Sequence, residues 1–332
     1  MRVTAAAQDE VARVAEALVR LGSRRILVVT GPSQRHLDWA RPALAGFDVA
    51  TFSGARQHVP EAVVRAGLDR LDQHVADTIL TLGGGAATGV GKVLRLQREV
   101  RFTAIPTTYA GSELTTSWSM RSEATHQRTG GRDPRVRPDA ILHLVEPTLS
   151  MPLALTATSL LNAMAHAFSA LETGANPDPR ALTAIETIHR ALTVLCQSTG
   201  DRDARVVAQQ GAAMAAAALE DQGGRLGRHH SLVHRLGAPF DLDHSALHSV
   251  LLPHSLHRLR STHDGLLSEL ERRLGLVTSL ESRLHRLLFQ SGAPTSLADL
   301  GLTRPQLEAS LAGQRSLPRD LLMAAFDGAH PT

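Results

Sequence analysis

The sequence predicts an α/β N-terminal domain built on a parallel sheet, followed by an all-α C-terminal domain. Three observations carry this. Up to about residue 105, short β-rich apolar runs alternate with helical periods, the pattern of a parallel sheet covered by helices. From about Pro152 onward the apolar periods are helical only. The 332 residues are long for one domain and comfortable for two. We place the boundary near residue 150, giving domains 1–150 and 151–332.

The periods of Ala5–Leu21 predict a first helix, amphipathic and mixed in charge. Arg25–Thr30 (RILVVT) is short, apolar and β-rich, so it reads as a buried strand. Ser33–Leu44 reads as a helix with Pro32 near its start, Phe47–Phe52 as a strand, and Pro60–Val75 as a helix. Thr78–Leu82 (TILTL) is another buried strand, and Gly83-Gly84-Gly85 then turns into a helix ending near Leu96. Phe102–Ile105 is a strand stopped by Pro106, and Ala140–Leu144 is the last strand candidate. Helices are predicted at Ala154–Leu171, Pro179–Gln197, Ala204–Leu219, Leu226–Leu236, Ala246–Leu259, Leu266–Leu274 and Leu280–Phe289. The tail from Ser296 holds two or three short helices broken by Gly301, Pro305, Gly313 and Pro318.

Composition excludes several functions. No apolar run is long enough to span a bilayer, so no membrane partner is expected. Met1–Leu21 lacks the basic start and unbroken apolar stretch of a secretory leader. Cys196 is the one cysteine, so no internal disulfide forms and a reducing cytoplasm fits. The isoelectric point of about 9.9 accompanies a formal charge of only +3, because almost all basic residues are arginine. Those residues are scattered, which argues against nucleic acid as a partner. Lys92 is the only lysine; a position that keeps a compact ammonium among so many arginines joins the cofactor-binding candidates.

Three segments carry chemistry. The first is the turn Gly83-Gly84-Gly85 between a strand and a helix. Glycines let the backbone approach a ligand, and the helix N-terminus offers unpaired N–H groups, which suits a diphosphate. The spacing is not GxGxxG, so the ordinary Rossmann fingerprint is absent from this Rossmann-like pattern. The second is Pro106-Thr107-Thr108-Tyr109-Ala110-Gly111-Ser112-Glu113, a hydroxyl-rich loop after the next strand that holds the only tyrosine. Two successive loops at strand ends form the crevice where open α/β sheets bind ligands. A tight turn and an ST-turn with a helix cap are the alternative readings of these two segments. The third is a set of helical pairs, Asn162 with His166 and His230 with His234, followed by His244. They lead into a run that also holds His229, His248, His254 and His257. Histidines so spaced converge on a metal or on a substrate carboxylate.

Taken in order, IPTTYAGSE, GGRDPRV, NAMAHA and HHSLVHRLGAPFDLDHSALHSVLLPH resemble the maleylacetate reductase branch of the iron-containing alcohol dehydrogenase and dehydroquinate synthase-like superfamily. The resemblance runs from about Arg25 to about Leu300. It implies a dehydroquinate synthase-like fold, a homodimer, and a cleft between the domains that binds nicotinamide and substrate. It implies that Gly83, Gly84 and Gly85 hold the cofactor diphosphate and that Thr107 and Thr108 line the nicotinamide side. The positions matching the metal ligands of metal-dependent relatives are Asn162, His166, His230 and His244, and His234 matches a histidine near the reacting carbon. Asparagine in place of the ligand aspartate disfavours a divalent metal such as iron or zinc. The implied reaction reduces a small anionic enone, maleylacetate to 3-oxoadipate, with His230, His234, His244 and Tyr109 as the catalytic set. No acidic residue follows the first strand in Thr30-Gly31-Pro32-Ser33-Gln34-Arg35, and Ser33 joins the cofactor set, so NADH or NADPH is expected.

The chain also departs from the branch. Ala86 stands where serine is usual, Leu161 for glycine, Ser169 for glutamate, Asp243 for proline, Ala246 for glutamate and Arg128 for lysine. The opening strand with its FGxG turn is not recognised, and the tail is short. These changes keep a second reading open, a repurposed relative acting on another carbonyl compound in biosynthesis, with or without net redox chemistry. A third reading, a degenerate binding subunit, is opposed by retention of the Asn and His set.

Overall fold

Runs such as Ile26–Val29, with every side chain apolar, can be buried only in a sheet covered on both faces. The computed structural model describes residues 5–125, 127–173, 178–314 and 316–331. The chain forms two compact units, Met1–Met151 and Pro152–Thr332.

The first unit runs α1 (Ala5–Arg20), β1 (Arg25–Val29), α2 (Leu37–Leu44), β2 (Asp48–Phe52), α3 (Glu61–Gln73), β3 (Thr78–Gly83), α4 (Gly85–Gln97) and β4 (Arg101–Pro106). It continues through β5 (Ser117–Arg121), β6 (Arg128–Arg132), β7 (Ala140–Ile141) and α5 (Glu146–Leu149). Five strands form a parallel sheet in the order β2-β1-β3-β4-β7. Alternate strand residues serve opposite faces. Leu27, Val29, Ile79, Phe102 and Ala104 meet Val63 and Val64 of α3 and Val90, Val93 and Leu94 of α4. Ile26, Val28, Leu80, Leu82 and Ile105 meet Val14 and Leu18 of α1 and Ala40 and Leu44 of α2. Because β1 lies between β2 and β3, the connections leaving it diverge, and the carboxyl ends of β1 and β3 open a crevice.

Three details differ from expectation. The helix expected from Ser33 begins at Leu37, after a turn in which Gln34 takes a φ of +47°. The antiparallel hairpin β5–β6 was not foreseen. Strand β6 reads RTGGR with all five residues exposed, so it carries no apolar alternation to signal a strand. The final strand is also shorter than Ala140–Leu144, since only Ala140 and Ile141 pair with β4.

The second unit contains α6 (Leu153–Thr173), α7 (Pro179–Gln197), α8 (Arg202–Asp221), α9 (Arg228–Phe240) and α10 (His244–Leu274). It ends with α11 (Leu280–Ser291), α12 (Arg304–Gly313) and α13 (Arg319–Asp327). Helix α6 is buried almost all round, from Thr156 to Leu171, as expected of a central helix. Helices α9 and α10 share a core with α12 and α13 through Leu236, Leu247, Leu251, Leu307 and Leu322.

The predicted helices Ala246–Leu259 and Leu266–Leu274 are one element, α10, bent at His263, where φ is −134° and ψ is 33°. The polar stretch around the bend hides the continuity in the sequence. Arg260 braces it, donating to Glu281 at 2.8 Å, to Asp264 at 2.9 Å and to Glu271 at 2.5 Å. Glu281 is only 1 % exposed, so removing its partner strands a buried carboxylate. Arg260→Ala is therefore expected to lower the unfolding free energy by about 3 kcal/mol, read from urea denaturation, whereas Arg272→Ala on the exposed face costs under about 1 kcal/mol.

Candidate active site

Two loops meet at the carboxyl edge of the sheet in the first unit. Register pairs Gly83 with Pro106, and the Thr107 N–H donates to the Gly83 carbonyl at 3.0 Å. A Cβ on Gly84 would lie 2.8 Å from Thr108 Cγ2, so glycine is what lets the loops touch. At Gly85 a Cβ would meet nothing closer than Ala110 at 3.9 Å, which leaves room above the first turn of α4. Gly84 caps that helix without any side chain, so its first N–H groups are presented by backbone alone. This cradle fits a dinucleotide diphosphate. Ser33 is exposed in the loop that follows β1, across the diverging connections.

Two residues expected at a ligand are buried. Lys92 is 1 % exposed, and its ammonium donates to Thr115 O at 2.8 Å, Thr115 Oγ1 at 3.0 Å and Ser117 O at 2.8 Å. An ammonium has three N–H donors, so Lys92 acts as a clamp holding the threonine loop against α4. Tyr109 is 2 % exposed. In the same loop, Glu113 is buried and pairs with His143 at 3.0 Å.

In the second unit three helices bring their paired residues together. Asn162 and His166 lie on α6, His230 and His234 on α9, and His244 and His248 on α10. The His166 and His230 rings stack at 5.1 Å, and His230 meets His248 at 4.4 Å. His244 lies 4.6 Å from His248 and 5.6 Å from His234. Asn162, His229, His230 and His248 are buried, while His166, His234 and His244 are half-buried above them. The result is a buried imidazole floor with a partly open histidine rim.

The departures of this sequence help build that floor. Ser169 accepts the Gly227 N–H at 3.2 Å and faces His230 Nδ1 at 2.8 Å, which orients the ring. Asp243 accepts the Ala246 N–H at 2.7 Å and so caps α10, placing His244 at the first helical position. His248 and His229, counted in the histidine run but given no role there, are part of the site. The available signal was the i, i+4 spacing of His244 and His248, which repeats that of His230 and His234.

Electrostatically the floor is neutral. Burial lowers His229 to about 3, helped by the charge of His166. Burial, then the neighbouring histidines, holds His230 and His248 well below 6.5. The positions matching the metal ligands of relatives hold three histidines and an asparagine. Among the described residues, no three histidines, cysteines or carboxylates converge in a way that could hold a metal ion. The fourth donor, Asn162, brings a neutral amide in place of a carboxylate. Its Oδ1 is buried without a hydrogen-bond partner, as is Nε2 of His230.

Comparison with known proteins accounts for this arrangement. The model for iron-containing alcohol dehydrogenase matches residues 4–143, and that for the C-terminal domain of the Fe-containing alcohol dehydrogenase family matches 156–317. The chain belongs to the iron-containing alcohol dehydrogenase family. Maleylacetate reductase 1 of Cupriavidus pinatubonensis is 36% identical over 94% of this chain and 91% of its own length. The crystal structure of maleylacetate reductase from Agrobacterium tumefaciens has a TM-score of 0.84 at 33% identity, covering 97% of this chain and 95% of that one. The maleylacetate reductase of Rhizobium sp. strain MTP-10005 superposes with a TM-score of 0.83 at 32% identity, covering 97% of this chain and 95% of that one. The chain thus falls in the maleylacetate reductase branch of the family, and it is an oxidoreductase.

The neutral histidines set a pH dependence. His189 and His254 are also lowered to about 4, chiefly by burial. Unfolding returns these groups toward 6.5, so below that pH the unfolded chain binds protons that the fold refuses. Stability is full above about pH 6.5 and is lost as pH falls toward 4, by up to about 1.4 kcal/mol per pH unit for each such histidine. Urea midpoints measured from pH 7 to pH 4 should fall steeply, and His189→Asn should flatten the slope.

Proposed function

We propose that the protein reduces a small carboxylated enone or carbonyl compound of the maleylacetate type, using NADH or NADPH. The observation that carries this is the neutral floor of Asn162, His230 and His248 beneath the half-buried His166, His234 and His244. Hydrogen-bonding groups of this kind can pair with the oxygens of a small carboxylated substrate. The unpartnered Asn162 Oδ1 accepts a substrate hydrogen bond, and His230 Nε2 pairs with a substrate oxygen.

In this reading the first unit is the dinucleotide-binding domain and the second the substrate domain. Gly83, Gly84 and Gly85 cradle the diphosphate, with Thr107 and Thr108 on the nicotinamide side. A reduced nicotinamide, when bound, supplies the hydride. Addition to a carbon conjugated with a carbonyl places negative charge on the carbonyl oxygen, where the imidazoles stabilise it. His234 or His244 then gives a proton to the adjacent carbon, completing the saturated ketone. The loop after β1 has no acid to exclude a 2′-phosphate, and Ser33 is exposed there, which supports use of NADPH as well as NADH. A cytoplasmic homodimer is part of the proposal.

Asp243 and Ser169 reshape the wall around His244 and His230, so a different carbonyl substrate is the second reading. The deciding measurement is the maleylacetate-dependent loss of NADH and NADPH absorbance by purified protein. Oxidation that survives chelation, with kcat reduced about 10²–10⁴-fold by His234→Gln, is the expected result. Cofactor binding without oxidation moves the assignment to another carbonyl compound. Activity abolished by chelation and restored by one metal overturns the metal-free site.

A further inference from the structure

The proposed chemistry consumes one proton per turnover, so its donor must be recharged. Two buried histidines that this chemistry gives no part in proton transfer point to a route. Ser255 Oγ, half-buried on α10, lies 2.9 Å from His229 Nδ1. His229 Nε2 lies 2.9 Å from His248 Nδ1. His229 is 8 % exposed and His248 is 0 % exposed, so burial deepens along the chain. At the inner end, His248 Nε2 is buried without a hydrogen-bond partner, and its ring faces His244 at 4.6 Å and His230 at 4.4 Å.

A neutral imidazole carries one N–H and one lone pair. His229 is hydrogen-bonded at both nitrogens, so the sense of one bond fixes the sense of the other. When the Ser255 hydroxyl donates to His229 Nδ1, the His229 Nε2–H donates to His248 Nδ1. The remaining His248 proton then sits on Nε2, the nitrogen without a partner.

We propose that Ser255, His229 and His248 form a proton relay that carries a proton from solvent to the donor histidine, an assignment that rests on the reductase reading. In one passage the His248 Nε2–H bond breaks as a turn of the half-buried His244 side chain brings its ring to accept. His248 Nδ1 takes the proton of His229 Nε2, His229 Nδ1 takes that of Ser255, and Ser255 takes one from water. One proton enters, one leaves and no electrons move. The two rings end in the opposite tautomer and return by rotation before the next turnover.

These are positioning residues, and kinetics separates a relay from a structural part. Ser255→Ala is expected to lower kcat about tenfold with KM unchanged. Its solvent deuterium isotope effect should rise while the isotope effect of deuterated NADH falls toward unity, and Ser255→Thr should restore both. His229→Asn, checked for folding by circular dichroism, should behave like Ser255→Ala and recover with added imidazole. A Ser255→Ala variant within about twofold of the parent kcat, with both isotope effects unchanged, overturns the relay. If the parent protein does not oxidise NADH with maleylacetate, the substrate reading fails and the relay is judged by ¹⁵N NMR of histidine-labelled protein. A shift of the His248 ring nitrogens on Ser255→Ala then supports a continuous wire, and unchanged resonances overturn it.

Discussion

Histidines can be buried side by side only if each stays neutral. That constraint organises the second unit. The rings of His229, His230 and His248 have centroids 4.4 Å to 5.8 Å apart, and any one of them ionised would repel the rest in a medium that screens poorly. The fold answers with uncharged partners. Ser169 serves His230, Ser255 serves His229, and His229 serves His248. A carboxylate at position 162 or 169 would pull protons onto the rings; Asn162 and Ser169 do not. The absence of acids from the floor is thus one property expressed at several positions.

The first unit obeys a different constraint, close approach of backbone. Gly84 lets the turn after β3 lie against Thr108, and Lys92 ties the downstream end of the same loop to α4. The two contacts fix one loop from opposite ends. The edge where a ligand would sit is therefore set by a missing side chain on one side and a buried ammonium on the other.

Much of this was legible in the sequence, for identifiable reasons. Pro179–Gln197 was bounded correctly because Pro179 opens the helix and its apolar period is unbroken to the end. The parallel strands were legible because strands buried on both faces are continuous apolar runs. The β5–β6 hairpin was not, because its exposed strand is made of arginine, threonine and glycine. Helix α10 was split in two because ion pairs around Arg260 hold together what periodicity would separate. In the site, the Asn162, His166, His230, His234 and His244 constellation followed from helical spacing. The roles of Ser169, His229 and Ser255 did not, since a hydrogen bond across 61 or 26 residues leaves no trace in local pattern. Lys92 was noticed for its rarity, but rarity could not say which way the side chain points.

That lysine has a consequence for how the molecule meets reagents. It is the sole side-chain amine of the chain, and it is enclosed between α4 and the loop it holds. Every positive side chain left on the surface is then a guanidinium or an imidazole. Acylating agents, amine cross-linkers and the enzymes that attach acyl groups or small proteins to lysine would find no side-chain target on the folded protein. Reaction at position 92 would report unfolding of the first unit, a built-in marker that any amine-directed label can read.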